Sequence, residues 1–170
     1  MSVHESLAVA VALAASGFDL RSRRIPNALT LGGALAGLIA AAITTGVGGV
    51  GSSASGWALA TVMWLPLYAL GGMGAGDVKL MAAIGAWVGP LIVFYASLYA
   101  AVAGAMVAAG MVIAQGCARQ TYFNIHLLLA HWRVAGFAPH AQLTLDAGAS
   151  PRLAYAVPIL IGTLAAIWLR

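Results

Sequence analysis

Residues 91–114 read LIVFYASLYAAVAGAMVAAGMVIA, a run with no charged side chain. As a helix it is about 36 Å long, more than the roughly 30 Å hydrocarbon core of a bilayer. Its apolar residues are continuous rather than alternating, which predicts a membrane-spanning helix and not a barrel strand. The whole chain has the same character. Of its 170 residues, 62% are hydrophobic and 7% charged, whereas a soluble domain carries about 25% charged residues to face water. Disorder is excluded because the apolar content is far too high.

Outward from this segment, further apolar runs cover 3–18, 28–45, 57–70, 77–88 and 153–169. The expected fold is therefore an all-α membrane protein, a six-transmembrane helix bundle formed by one domain over residues 1–170. Residues 117–150 are mixed. Tyr122, Phe123 and Leu127 to Leu129, followed by His131, Trp132 and Arg133, predict a short interfacial helix between helices 5 and 6. Gly33/Gly37 and Gly85/Gly89 are small residues four apart, the spacing of close helix packing. The stretch 46–51 matches G-x-G-x-x-G, but it follows a transmembrane run and has no acid until Asp77. A dinucleotide site needs a strand before it and an acid about 20 residues on, so 46–56 is expected to be a flexible connector.

Charge sets the orientation. With the N-terminus outside, the cytoplasmic connections and their flanks hold Arg21, Arg23, Arg24, Lys79, Arg119, Arg133 and Arg152, seven of the eight basic residues. The net charge of +4 thus reflects topology, and nucleic acid is not an expected partner; the lipid bilayer is. Met1–Ser6 has no Lys or Arg, so residues 1–18 read as a retained helix and not a signal peptide. The single cysteine, Cys117, rules out an internal disulfide.

With only four acids, each needs a reason. Glu5 lies near the chain end and Asp146 in the long loop, both expected in water. Asp19 and Asp77 stand where predicted helices meet the cytoplasmic face, and ionisable groups there are costly unless they function. Asp19 is expected at the C-terminal end of the first helix. Asp77 follows the glycine-rich stretch Gly71 to Gly76, which permits non-helical backbone and close approach by another chain. Two carboxylates around one water supply a base and an acid for peptide hydrolysis. No other constellation competes. Ser/His/Asp catalysis lacks a serine in a suitable setting, Cys117 has no activating neighbours, and His126 and His131 are misplaced for one helix face, so no metal and no cofactor is expected.

These residues resemble the type IV prepilin peptidases, membrane aspartic proteases with a G-x-G-D signature. Gly74-Ala75-Gly76-Asp77 fits the signature and Val78-Lys79-Leu80 its extension; Asp19 followed by Arg23-Arg24-Ile25-Pro26-Asn27 is similar to the family's first aspartate motif. Tyr155-Ala156-Val157-Pro158 with Gly162-Thr163 is similar to the last helix. The resemblance implies Asp19 and Asp77 as catalytic residues, with Gly74, Gly76, Lys79, Arg24, Pro26 and Asn27 positioning motif or substrate. It further implies cleavage of the basic leader from prepilins or pseudopilins at the cytoplasmic face of a bacterial inner membrane. The chain looks like the short, peptidase-only kind associated with tight-adherence (Flp-type) pili, so N-methyltransferase activity is not expected. The oligomeric state stays open, a homo-oligomer included. Two alternatives carry different expectations. A presenilin or signal-peptide-peptidase type of protease has a Tyr-Asp pair, where this chain has Phe18-Asp19. A proton-coupled transporter or channel would hold its acids near the bilayer midplane.

Overall fold

The computed structural model describes residues 1–140, 143–144 and 153–169, and all regular structure among them is helical. Asp146, Arg152 and Arg170 lie outside the described residues. The helices are α1 (Val3–Ser22), α2 (Asn27–Ala69), α3 (Ala75–Ala114), α4 (Ala118–Ala135) and α5 (Ala156–Trp168). Three of them, α1, α2 and α3, are long and apolar enough to cross a membrane.

At 43 and 40 residues, α2 and α3 would each run about 60 Å or more if straight. Both are broken by a glycine in a backbone conformation that L side chains avoid: Gly46 at φ 63°, ψ −145° and Gly89 at φ 76°, ψ 178°. Pro90 removes a further helical donor beside the second break. Contacts show that both chains turn back. A Cβ on Gly37 would lie 3.1 Å from the carbonyl carbon of Ala86, and Ser53 Oγ donates to the carbonyl oxygen of the same Ala86 at 2.6 Å. Along a straight helix Gly37 and Ser53 would be about 24 Å apart. In α3, Asp77 and Gly104 would be about 40 Å apart, yet Tyr155 rests on Gly104 while its neighbour Ala156 bonds Asp19, which lines one cavity with Asp77. Each of these helices is therefore a hairpin of two apolar legs.

The first leg of α3 is the strut of the molecule. From Val78 to Trp87 every residue except Lys79 is buried, and Leu80, Met81, Ala83 and Ile84 are wholly so. At its closest approaches the residues facing it are small. Gly56 of α2 meets Gly85 backbone to backbone, Gly37 meets Ala86, and Ala8, Ala12 and Ala15 give α1 a fully buried face. Helices in lipid gain no hydrophobic drive from association, so this close van der Waals approach supplies the attraction.

Several expectations need correction. The segment from Val47 to Gly56 is helical rather than a connector; its small residues are the seam, with Ser53 and Gly56 turned onto α3. α1 continues four residues past Phe18, to Ser22, and Asp19 lies in its last turn, at the C-terminal end as expected. Arg23 ends the helix in the left-handed region (φ 54°, ψ 27°), its N–H bonded to the Asp19 carbonyl at 2.9 Å. Glu5 is buried, not solvated. It closes a capping box with Ser2, accepting from the Ser2 N–H at 2.9 Å while Ser2 Oγ accepts from its own N–H. At this same end the His4 ring stands edge-on to Trp87, with centroids 5.8 Å apart. None of the residues of α4 is buried.

A Cβ at Gly85 would fall within 3 Å of the Gly56 backbone, whereas one at Gly51 would meet nothing within 4 Å. Gly85→Ala should destabilise the detergent-solubilised protein by about 1–3 kcal/mol, and Gly51→Ala should be neutral or stabilising. Thermal unfolding of the two variants side by side checks this; equal melting points would contradict the seam.

Candidate active site

The end of the bundle opposite His4 holds a cavity of about 280 Å³ whose lining includes Asp19, Arg24, Asn27, Gly74, Gly76, Asp77 and Lys79. Three chain segments meet there: the end of α1 with its turn, the glycine-rich turn before α3, and the first turn of α3. Nearly every residue singled out from the sequence is thus brought to one place. Pro26 is the exception, since it does not line the cavity and instead opens α2 as its N-cap.

Asp77 occupies the third position of α3, with Gly74 as N-cap (φ −78°, ψ 147°). The Gly74 backbone hydrogen-bonds its carboxylate, and its own N–H reaches the Gly74 carbonyl at 3.2 Å. An acid at this position satisfies a donor that the helix start leaves open. The dihedral angles of Gly74 suit any residue, so what requires glycine there is space. A Cβ would stand 3.2 Å from Asp77 Oδ2. At Gly76 a Cβ would lie 3.4 Å from the Ile25 side chain, ordinary contact. Only Gly71 in this stretch has a positive φ, 75°.

Asp19 is 8% exposed. Near the C-terminal end of α1 the helix dipole disfavours a negative charge, and the fold compensates from elsewhere. Asp19 Oδ2 accepts a hydrogen bond at 3.2 Å from the N–H of Ala156, the first residue of α5. The other early donors of that helix are settled locally: Val157 bonds the Ala154 carbonyl, residue 158 is proline, and Ile159 bonds the Tyr155 carbonyl. Asp19 is therefore the N-terminal cap of α5, contributed from far away in the chain. One turn earlier, Ser16 Oγ donates to the Ala156 carbonyl at 3.0 Å and ties α1 to α5 a second time.

Arg23, Arg24 and Lys79 surround the two acids, which lie close enough for their charges to interact. Lys79 Nζ donates to Asn27 Oδ1 at 3.0 Å and joins α3 to the start of α2. Asn27 is thus not a helix cap; it is the first helical residue, and its amide is engaged by the lysine. Ser16 and the backbone of Ala156 were not legible as site residues. Their contribution is a hydroxyl and a peptide N–H, which no side-chain motif announces.

Residues 6–109 match the Type IV leader peptidase family. The chain is 35% identical over 133 residues to the prepilin leader peptidase/N-methyltransferase of Xanthomonas campestris pv. campestris, an alignment covering 72% of this chain and 45% of that protein. Against the protein of the same name from Aeromonas hydrophila the identity is 31% over 134 residues, with 72% and 45% covered. The Aeromonas salmonicida (strain A449) protein is 35% identical over 104 residues, covering 55% of this chain and 36% of that one. The chain thus spans just under half the length of the curated relatives it matches most fully. No solved structure matches it. Asp19 and Asp77 both fall inside the matched region.

Asparagine in place of Asp19 keeps an oxygen that can accept from Ala156, and alanine does not. Asp19→Asn should unfold near the wild-type temperature, while Asp19→Ala should lose about 1 kcal/mol, the usual worth of a helix cap. Melting curves in detergent distinguish the two, and equal losses would contradict the capping role.

Proposed function

The chain belongs to the type IV leader peptidase family, and from that premise we propose that it is a membrane-embedded aspartic endopeptidase removing the basic leader from prepilins or pseudopilins, with Asp19 and Asp77 as its catalytic pair. The observation that carries the reading is that these two acids, 58 positions apart in the sequence, line one cavity beside the glycine-rich turn. Two neighbouring carboxylates do not both ionise readily, so the pair holds one proton between them. The ionised member takes a proton from a water as it attacks the scissile carbonyl, while the protonated member polarises that carbonyl. The C–O bond forms, the C–N bond breaks, and the departing amine receives a proton from the pair, which returns to its starting state. The cavity that Gly74 and Gly76 line suits an extended peptide passing close to Asp77. Lys79, held by Asn27, and Arg24 stand where they can orient that peptide.

The two hairpins, together with α1 and α5, support six crossings, with the N-terminus outside and the aspartates at the cytoplasmic face of a bacterial inner membrane. α4 then lies in the interface, with its aromatic residues toward lipid and Arg119 and Arg133 toward head groups. The first leg of α3, residues 75–88, is about 21 Å long, short of the hydrocarbon thickness. This draws Asp77 slightly beneath the membrane surface, where a leader–helix junction would lie. A proton relay is the weaker reading, since both acids stand in end turns of their helices and not near a midplane.

Coexpression with a Flp-type prepilin should give leader removal by wild type. Asp19→Asn and Asp77→Asn, at matched membrane levels, should each lower the rate about 10²–10⁴-fold. Continued cleavage by either variant would overturn the pair. For topology, cysteines placed at Ser22 and Gly48 in a Cys117→Ser background should react from opposite sides of the membrane, with Gly48→Cys labelled from outside. Labelling of both from one side would overturn the six-crossing arrangement.

A further inference from the structure

The buried face of α1 is made almost wholly of small residues. After Glu5 at its start, the side chains it buries are Ala8, Ala12, Ala15, Ser16 and Asp19. Methyl groups let helices come close, but they fix register and rotation weakly, because little contact is lost as one small side chain slides past another. Hydrogen bonds have a length and a direction. Of these five buried side chains only Ser16 and Asp19 make them, and both reach the same residue of α5.

That residue is Ala156, which is wholly buried. Its carbonyl accepts from Ser16 Oγ at 3.0 Å, and its N–H donates to Asp19 Oδ2 at 3.2 Å. Ser16 and Asp19 stand three apart on α1, so they share one face a turn from each other. Together they grip both sides of one residue. Ser16 does not need Ala156 in order to be satisfied. Its hydroxyl also reaches the Ala12 carbonyl at 2.8 Å, the back-bond that a serine makes within its own helix, and its one proton is shared between the two acceptors. The bond to α5 is thus additional to what burial of a serine requires. Its consequence falls on Asp19, because any shift of residue 156 carries with it the N–H that holds the carboxylate.

We infer that Ser16 is a positioning residue for Asp19: by binding the carbonyl of Ala156 it fixes, against α1, the residue whose N–H holds the acid. This rests on the two-aspartate reading. Asp77 stands in the first turn of its own helix, directly after Gly74. Asp19 stands in a last turn and takes its donor from α5, so its aim depends on how α1 and α5 are registered. Further along, α5 is seated on α3, where Gly162 meets the backbone of Ala96 and Ala100. The Ser16 bond extends that fixed frame to the acid.

The test is steady-state cleavage of a purified prepilin by the detergent-solubilised full chain, with Ser53→Ala as the matched control. Ser53 is as well buried as Ser16 and also donates to a carbonyl of a neighbouring helix, that of Ala86 at 2.6 Å, but it stands beside His4 at the other end of the bundle. Each alanine variant removes one buried hydroxyl and keeps a good helix former, so both should melt somewhat lower and by similar amounts. Ser16→Ala should lower kcat about ten- to a hundredfold, the scale of a misplaced catalytic group, with KM unchanged. Ser53→Ala should keep both constants. Wild-type kcat in Ser16→Ala would overturn the inference. So would an equal loss of kcat in Ser53→Ala, or a loss that appears as a rise in KM. Asp19→Asn and Asp77→Asn run alongside: if they cleave, it is the two-aspartate reading that fails.

Discussion

The first leg of α3 can sit at the centre of this protein because small residues stand against it at its closest approaches. Where Gly56 meets Gly85 and Gly37 meets Ala86, helix backbones touch with almost no side chain between them. In lipid an apolar side chain gains little by leaving one hydrocarbon surface for another, so helices hold together by fitting closely. The seam along residues 83–89 has the further effect of placing both legs of α2 on the same stretch of α3. The position of Asp77 depends on this packing, since its helix begins the buried leg.

Polar groups are then used sparingly and more than once. Asp19 ends α1 in cooperation with Arg23, through its carbonyl, and starts α5 through its carboxylate. Asp77 is held by the backbone of its own N-cap, Gly74. Ser16, Ser53 and Ser97 all donate to backbone carbonyls inside the bundle, where an unbonded hydroxyl would be costly. An apolar bundle can therefore keep two acids at one end because the helix termini around them leave donors open.

The glycines of the G-x-G-D stretch divide the work unevenly. Gly71 provides a backbone turn that other residues make poorly, whereas Gly74 and Gly76 stand at the helix start and line the cavity. Gly74 keeps that space directly beside the Asp77 carboxylate. The glycines at 46 and 89 act differently again, reversing the chain so that one long apolar stretch becomes two packed legs. A glycine count therefore says little until each position is set against its neighbours.

Much of this was legible in the sequence because bilayers impose strict rules on composition. Apolar runs, the small-residue pairs and the rarity of acids all follow from what a membrane tolerates. Asp19 and Asp77 stood out for the same reason. The glycine- and serine-rich segment after Gly46 misled, since composition that suits a loop in water also suits a helix pressed against another helix. The meeting of the two acids, the capping of α5 by Asp19 and the fit of Gly56 to Gly85 were decided only by the tertiary structure. They depend on peptide groups and on gaps, and neither leaves a mark in the identity of any one residue.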